Sequence, residues 1–189
     1  RNVYMPPFKA AADAGVATFM AAFSDVNGVP ASGNRFLMQT VLRDEWKFPG
    51  LVVSDWESVI DMIVHGFAAT EKDAAFEALS AGVDMEMASN TFRDHLAALL
   101  AEKRIDPATL DAAVRNVLRV KFRLGLFERT VTDPAAFPAV ASAQNLALAR
   151  KLTRQSLVLL QNRNAVLPLA RESLRSLAVI GPMADDAYE

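Results

Sequence analysis

The stretch Leu51-Val52-Val53-Ser54-Asp55-Trp56 decides the fold and, with it, the position of a candidate site. Its apolar first half follows Pro49-Gly50 and predicts a parallel strand buried on both faces, because such strands lose the usual alternation of apolar and polar residues. A carboxylate and a large aromatic side chain then end the strand. Ligand crevices of α/β folds form at the carboxyl ends of parallel strands, so Asp55 is the first candidate for a functional residue.

Two further strands are predicted on either side of this one, at Val16–Phe23 and Val83–Met87. The three strand starts lie thirty-odd residues apart, which is the span of a strand, a helix and their connections. Between the first two strands, Ser24–Asn34 predicts a loop rich in turn formers, and Asn34 can cap a helix that continues to about Trp46. The pattern therefore predicts repeated βα units.

Several helices are predicted from capping signals and apolar spacing. The strongest signal covers Asp106–Leu124, with Asp106 as N-cap, Pro107 in the first turn and Gly125 as terminator. The other predicted helices before the composition changes are Phe8–Ala14, Ser58–Val64, Glu71–Ala81 and Thr91–Lys103.

The composition changes at Phe127–Val140, where prolines and polar residues interrupt any periodicity and indicate a linker. Beyond it, an amphipathic helix at Ser142–Gln161 and a buried strand at Leu177–Gly181 predict the start of a second α/β unit. Three parallel strands cannot close a barrel, which needs eight. We therefore expect the chain to be a piece of a larger protein that spans the end of one α/β domain and the start of another.

The composition favours a globular chain and excludes several function classes. Of 189 residues, 52% are hydrophobic and 22% are charged, without a disorder signature. A net charge of -2 gives no basic surface for nucleic acid, and the lack of cysteine excludes disulfides and thiolate chemistry. The sequence has no apolar run of about 18 residues and no leader pattern, so we expect no membrane span.

Sequence motifs for several chemistries are also missing. No glycine pattern matches a nucleotide-binding loop, and no serine lies in a GxSxG motif. His65 and His95 have no partners at ligand spacing, so we expect both on the surface or at helix ends rather than as metal ligands or general bases. No metal site and no cofactor is predicted.

Asp55 and Trp56 each have two interpretations that the residues alone leave open. Asp55 precedes a predicted helix, so it suits an N-cap as well as a catalytic carboxylate. Trp56 suits core packing, but at a loop tip its ring also suits stacking on the C–H face of a sugar.

Four other side chains lie near the predicted strand ends. Met20 and Phe23 end the first strand and suit pocket lining or, more commonly, core packing. Asp84 and Glu86 alternate onto one face of their strand, so one of them could point into the crevice. Hydrogen bonding to neighbouring loop amides is the favoured interpretation for both carboxylates.

These segments together resemble glycoside hydrolase family 3, and in particular its bacterial periplasmic-type β-glucosidases. The resemblance covers nearly the whole chain in family order and rests on Phe19-Met20, NGVP at 27–30, FPGLVVSDW at 48–56, AGVDMEM at 81–87, VKFRLGLF at 120–127, SLVLLQN at 156–162, LPL at 167–169 and AVIGP at 178–182. It implies the C-terminal part of a TIM-like (β/α)8 barrel in residues 1–127, a linker at 128–141 and the beginning of an α/β sandwich domain in 142–189, with the active site between the two domains.

The resemblance also implies roles for four side chains. Asp55 matches the family's aspartate nucleophile, and Trp56 matches its aromatic platform on the aglycone side. Met20 matches a methionine of the pocket wall. Phe23 stands where many members carry a tyrosine that hydrogen-bonds near the nucleophile, so the tuning of Asp55 by that hydroxyl is missing here.

The function implied by the resemblance is that of a retaining, exo-acting β-glycosidase. The first choice is a β-glucosidase that releases terminal β-D-glucose through a glycosyl-aspartate intermediate. A β-xylosidase, an exo-β-glucanase and a non-catalytic carbohydrate-binding protein of the same fold are the alternatives. The expected substrates are β-linked gluco-oligosaccharides or aryl β-glucosides, and the expected partners are the remaining segments of the same enzyme, which supply the acid/base glutamate. A periplasmic or secreted location is expected.

Overall fold

The computed structural model of the chain describes residues 1–137 and 141–186. The chain divides into two units, Arg1–Thr132 and Asp133–Glu189. Among the described residues, no helix combines the length and the apolar character needed to cross a bilayer.

The first unit contains five strands, four α-helices and a π-helix. The strands are β1 (Thr18–Met20), β2 (Asp25–Val26), β3 (Val29–Pro30), β4 (Leu51–Trp56) and β5 (Met85–Met87). The α-helices are α1 (Met5–Asp13), α2 (Glu71–Ala81), α3 (Thr91–Ala101) and α4 (Pro107–Arg123). The π-helix, Phe36–Glu45, lies between β3 and β4.

The central element of this unit is β4, which lies between β1 and β5 in a parallel sheet. On one side Thr18 pairs with Leu51 and Met20 with Val53. On the other side Val53 pairs with Met85. The predicted α/β class with a parallel sheet is therefore confirmed.

Two predicted strands are shorter in the structure, and one predicted loop contains strands. Val16–Phe23 is reduced to β1 and Val83–Met87 to β5, although backbone bonds to β4 continue just outside them, from the Ala21 amide to the Val53 carbonyl and from the Asp84 amide to the Val52 carbonyl, both at 2.9 Å. The predicted loop Ser24–Asn34 contains an antiparallel ribbon of β2 and β3, with φ angles of 55° at Asn27 and 76° at Gly28 in its turn. Positive φ at both central residues is typical of a type I′ turn, and an Asn-Gly pair adopts it readily.

The main core of the first unit forms where β4 meets the helices. Val52 is completely buried and belongs to one apolar cluster with Met38 and Leu42 of the π-helix and with Ala74 and Ala78 of α2. Burial of one aliphatic side chain of this kind contributes about 1.5–3 kcal/mol to stability. The apolar first half of β4 is thus part of the main core of this unit.

Local capping sets the ends of two helices close to their predicted bounds. Thr70 Oγ1 accepts the amide of Asp73 at 3.2 Å and begins α2. Gly82 ends this helix with a φ of 114°, a conformation that glycine adopts without strain. Asp106 Oδ1 accepts the amide of Ala108 at 2.8 Å and begins α4.

Of the other helix predictions in the first unit, one cap is confirmed and one helix needs a correction. Asn34 Oδ1 accepts the amide of Leu37 at 3.2 Å, as expected for the cap of the following helix. The predicted helix Ser58–Val64 is instead a series of turns around the 3-10 segment Ile60–Met62. A helix as short as the one predicted at 58–64 forms too few intrahelical hydrogen bonds to offset the conformational entropy lost when its backbone is ordered.

In the second unit, the described residues form α5 (Ala143–Ser156) and three 3-10 turns. Ser142 Oγ accepts the amide of Asn145 at 3.2 Å, so α5 begins as predicted, but it ends before the predicted Gln161. Two parts of the sequence predictions, 138–140 in the linker and 187–189 in the second domain, lie outside the described residues.

The predicted buried strand Leu177–Gly181 is wrong. This segment is irregular in the structure, and Ile180 is 90% exposed. A strand needs a neighbour that satisfies its backbone groups, and the described residues of the second unit contain no other strand.

Candidate active site

The predicted site residues lie at the carboxyl ends of β1 and β4, which reach the same edge of the sheet. Met20 ends β1, Asp55 and Trp56 end β4, and Phe23 follows β1 in the chain. The exposed fractions are 50% for Met20, 48% for Phe23 and 63% for Trp56. Core packing is therefore the wrong interpretation for all three of these side chains in the described structure.

The carboxylate of Asp55 is held at one oxygen. Oδ1 accepts the amide of Trp56 at 2.7 Å, and the side chain is only partly buried. Among the described residues, Oδ2 has no hydrogen-bond donor. The arrangement orients the carboxylate and leaves one oxygen available to a ligand.

The helix-cap interpretation of Asp55 is wrong. The 3-10 segment that follows starts after Val59 and has no side-chain cap. It is the backbone carbonyl of Asp55, not its carboxylate, that accepts the amide of Ser58 at 3.2 Å. The carboxylate therefore has no role in the start of that turn.

A β-bulge lies in β4 beside Asp55. Val53 pairs with Met85 and Trp56 with Met87, so β4 uses one residue more than β5 over the same distance. Bulges often lie next to active sites, where they change the direction of a side chain. The bulge therefore helps to set the direction in which the Asp55 side chain leaves the sheet.

Glu86 is used to hold the start of α3. Its Oε1 accepts the amide of Thr91 at 3.1 Å and the hydroxyl of Thr91 at 2.7 Å, and its Oε2 accepts the amide of Phe92 at 2.8 Å. Ser89 also donates its hydroxyl to Oε1. The favoured interpretation of this carboxylate, hydrogen bonding to loop amides, is confirmed.

Asp84 lies at the opposite, amino end of the sheet and is also used in structure. Its Oδ2 accepts the amide of Val52 at 2.8 Å and the guanidinium of Arg43 at 2.6 Å, and its Oδ1 accepts the amide group of Asn116 at 2.9 Å. Burial raises the pKa of Asp84, and the bonds from Asn116, Val52 and Arg43 oppose that rise. Burial likewise lowers the pKa of Arg43, and the charge of Asp84 opposes the change.

A cavity of about 630 Å³ opens at this amino end, and Asp55 is not part of its wall. Its lining includes Arg35, Arg43, Asp84, Arg104, Asp106 and Asn116. Ligands of α/β folds generally bind outside the carboxyl ends of the parallel strands, not at their amino ends. We therefore assign the candidate site to the edge at Asp55 and not to this cavity.

His65 is at the surface, as predicted, and His95 is half-buried on α3. His65 Nδ1 lies 2.8 Å from Asp25 Oδ1, and His95 Nε2 lies 3.4 Å from Glu71 Oε2. Among the described residues there is no group of three histidine, aspartate or glutamate side chains that could hold a metal ion.

The sequence interpretation missed Ser54 and the ion pair of Arg43 with Asp84. Ser54 had one visible signal, since it is a hydroxyl residue inside an apolar strand. The ion pair had none, because 41 residues separate its members in the chain.

Comparisons with known sequences support the resemblance noted above. The profile described as Glycosyl hydrolase family 3 N terminal domain matches residues 1–120. A periplasmic beta-glucosidase of Salmonella typhimurium is 42% identical over 191 residues, which cover 97% of this chain and 25% of the relative. Probable beta-D-xylosidase 7 of Arabidopsis thaliana is 35% identical over 192 residues, which cover 97% of this chain and 24% of the relative.

Comparison with solved structures also identifies β-glucosidases as similar to this chain. A β-glucosidase from Listeria innocua in complex with glucose is similar with a TM-score of 0.74 and 37% identity, over 88% of this chain and 23% of that protein. A β-glucosidase involved in saponin metabolism from intestinal bacteria has a TM-score of 0.76 and 34% identity, over 97% of this chain and 24% of that protein. The chain thus spans about a quarter of the length of these relatives. It belongs to glycosyl hydrolase family 3, the family that its sequence motifs resemble.

Proposed function

We propose that this chain is the nucleophile-bearing part of a retaining, exo-acting β-glucosidase. The observation that carries the proposal is the carboxylate of Asp55, which stands at the carboxyl end of the central strand with Oδ1 bonded to the Trp56 amide. Relatives named as β-glucosidases belong to the same family, and their similarity extends over most of the length of this chain. An oriented, partly exposed carboxylate at that edge suits nucleophilic attack.

In the proposed reaction, an oxygen of Asp55 attacks the anomeric carbon of the terminal β-glucoside. The bond from that carbon to the leaving oxygen breaks, and an acid group protonates the leaving oxygen. The glycosyl-aspartate ester is then hydrolysed by water, which the same second group activates as a base. The two carboxyl groups of a retaining glycosidase lie about 5 to 5.5 Å apart.

We propose that another segment of the full-length enzyme supplies the acid/base, as a glutamate. Glu86 is a poor candidate within this chain because both of its oxygens accept hydrogen bonds at the start of α3. The remaining segments of the enzyme would also supply the groups that bind the sugar hydroxyls.

The exposed side chains around Asp55 suit substrate contacts. Trp56 has the exposure that a stacking platform on the aglycone side requires. Met20 at the end of β1 and Phe23 in the loop that follows are half exposed and suit the apolar wall of a pocket. The substrates we propose are β-linked gluco-oligosaccharides and aryl β-glucosides.

We propose the same larger architecture that the sequence predicted. Residues 1–127 would form the C-terminal part of a (β/α)8 barrel, 128–141 a linker, and 142–189 the beginning of an α/β sandwich domain. The parallel sheet supports this architecture, since β1, β4 and β5 are neighbouring parallel strands of the kind that form such a barrel. A periplasmic or secreted location is proposed from the Salmonella typhimurium relative, which is named a periplasmic β-glucosidase.

A β-xylosidase is the second candidate, because several relatives of 34–35% identity carry that name. An exo-β-glucanase is a further alternative within the family. A panel of aryl β-glucoside, aryl β-xyloside and laminaribiose separates these activities. We expect the highest kcat/KM with the β-glucoside. A non-catalytic carbohydrate-binding protein would bind sugars and hydrolyse none of them.

The mechanism is tested by chemical rescue of Asp55→Gly in the full-length enzyme. We expect the variant to be inactive on an aryl β-glucoside with a good leaving group, and added azide to restore turnover. The product should be the α-glycosyl azide, because the anion attacks the face that the missing carboxylate vacated. A variant that hydrolyses the substrate without azide would contradict the proposal.

A further inference from the structure

Ser54 is a fully buried polar residue inside an apolar strand, and its hydroxyl makes two hydrogen bonds. It accepts the amide of Met87 in β5 at 2.8 Å. It also donates to the backbone carbonyl of Asp55 at 2.9 Å. A serine hydroxyl has one donor and two acceptor sites, so its donor and one acceptor site are both used. The hydroxyl thus connects the neighbouring strand to the residue that carries the carboxylate.

These bonds lie inside the β-bulge of β4. The extra residue shifts the register between β4 and β5 at this point, and the side chain of Ser54 accepts the amide of Met87 there. The ladder resumes directly afterwards, where the amide of Glu57 donates to the carbonyl of Met87 at 3.0 Å.

Asp55 is therefore fixed on both sides. Before it, Ser54 bonds to β5 and to the Asp55 carbonyl. After it, the amide of Ser58 donates to the same carbonyl at 3.2 Å. The carboxylate itself has only the single bond from the Trp56 amide among the described residues, so its direction depends on how the backbone is held.

We infer that Ser54 is a positioning residue, whose hydroxyl holds the bulge in the shape that aims the Asp55 carboxylate at the substrate. The inference rests on the proposed function. Without the hydroxyl, its bonds to the Met87 amide and to the Asp55 carbonyl are lost, so the backbone of the bulge is held less firmly. A nucleophile displaced by about 1 Å loses on the order of 100-fold in rate.

The test is Ser54→Ala in the full-length enzyme, with Thr91→Val as the control. Both residues are buried, and each variant loses one buried hydroxyl, but the Thr91 hydroxyl bonds to Glu86 and to no residue of β4. With an activated aryl β-glucoside, we expect Ser54→Ala to lower kcat/KM by about 10- to 100-fold. The inhibition constant of glucose should change by less than about 3-fold, because the sugar-binding groups are not moved.

Thr91→Val should keep kcat/KM within about 3-fold of the wild-type enzyme at a similar loss of thermal stability. Ser54→Cys is the second variant, since its thiol is a weak donor and acceptor, and we expect an intermediate loss of kcat/KM. If Ser54→Ala does not fold, Ser54→Cys decides between the outcomes. A loss of kcat/KM no larger than that of Thr91→Val, or an equal loss in glucose binding, would overturn the inference.

The result separates this inference from the proposed function. If Asp55→Gly is inactive and rescued by azide while Ser54→Ala behaves like the control, only the role of Ser54 is wrong. If Asp55→Gly remains active without azide, the nucleophile is wrong and the inference on Ser54 falls with it.

Discussion

The two ends of the parallel sheet each have an aspartate, and the two side chains are bonded in opposite ways. Asp84, at the amino end, is mostly buried and accepts bonds from Val52, Arg43 and Asn116. Asp55, at the carboxyl end of β4, is partly exposed and its carboxylate accepts only the Trp56 amide among the described residues.

In this account the amino end of the sheet contributes to stability, and the carboxyl end carries the proposed nucleophile. A buried carboxylate with three donors, one of them a cation, is fully occupied and cannot react without breaking that network. A carboxylate that is oriented by one bond keeps an oxygen available. The aspartate that we propose as the nucleophile is therefore the less bonded of the two, and variants at the two ends should have separable effects on activity and on stability.

The largest effect on activity is expected for Asp55→Asn. Asparagine keeps the shape of the side chain but is a poor nucleophile, so kcat should fall by several powers of ten. The melting temperature should stay close to that of the wild type, because the carboxylate caps no helix. Turnover of an aryl β-glucoside and thermal unfolding measure the two quantities. Near-normal turnover in a folded variant would contradict the proposed role of Asp55 as the nucleophile.

The largest effect on stability is expected at the other end, for Arg43→Met. Removal of the cation leaves Asp84 buried without its charged partner, which should cost about 3–5 kcal/mol of unfolding free energy at neutral pH. Asp84 already has a raised pKa, and the substitution should raise that pKa further. A carboxyl with a raised folded-state pKa is stabilising while protonated and loses that contribution as the pH rises through the folded pKa, so the deficit of the variant should shrink at acidic pH.

Urea unfolding at neutral and acidic pH checks this prediction, with Arg35→Met as the control. Arg35 is exposed and donates to the carbonyl of Ser80, so its replacement should have little effect at either pH. The folded fraction of Arg43→Met should keep its kcat. A fall in kcat comparable to that of Asp55→Asn would show that the two ends are not separable.

A smaller effect is expected for Trp56→Ala. The ring is exposed, so its loss should leave stability nearly unchanged. An aromatic contact contributes about 0.5–1.5 kcal/mol, which predicts an increase in KM of about 2- to 10-fold for aryl glucosides and disaccharides. The effect should be weaker for a methyl glucoside, whose aglycone offers little to stack on. Equal changes for all three substrates would place the ring outside the aglycone side.

The smallest effect is expected for Phe23→Tyr. The ring is half exposed, so a hydroxyl can be added without strain. One additional hydrogen bond near Asp55 would change kcat/KM by less than about 10-fold. Phe8→Tyr in α1 is the matched control, since Phe8 is similarly exposed and is not one of the residues assigned to the site. Equal kcat/KM values for the two variants would exclude Phe23 from the surroundings of the nucleophile.

Much of the first unit could be predicted from local sequence, because its signals are local. Apolar residues predicted the buried start of β4, and Asp106 and Gly125 predicted the two ends of α4 through capping. The bulge could not be predicted, because it is a mismatch between β4 and β5 and is visible in neither strand alone. The strand at Leu177–Gly181 failed for a related reason, since an apolar run does not show whether a partner strand is present.

The candidate site was only partly predictable. The position of Asp55 at a strand end followed from the pattern, but its choice between helix cap and free carboxylate depended on hydrogen bonds that the sequence does not contain. In sequence, Phe23 and Met20 suited pocket lining or, more commonly, core packing, and their exposure decided against the core. The long-range contact of Arg43 with Asp84 had no local signal at all.

The measurement that tests the central claim most directly is the identification of the residue that becomes covalently glycosylated. A fluorinated glucosyl fluoride forms a glycosyl-enzyme ester that hydrolyses slowly, so the intermediate accumulates and survives proteolysis. The account predicts that peptide mass spectrometry of the inactivated full-length enzyme will find one glycosyl group, attached to Asp55. A glycosyl group on any other residue, or inactivation with Asp55 unmodified, would contradict it.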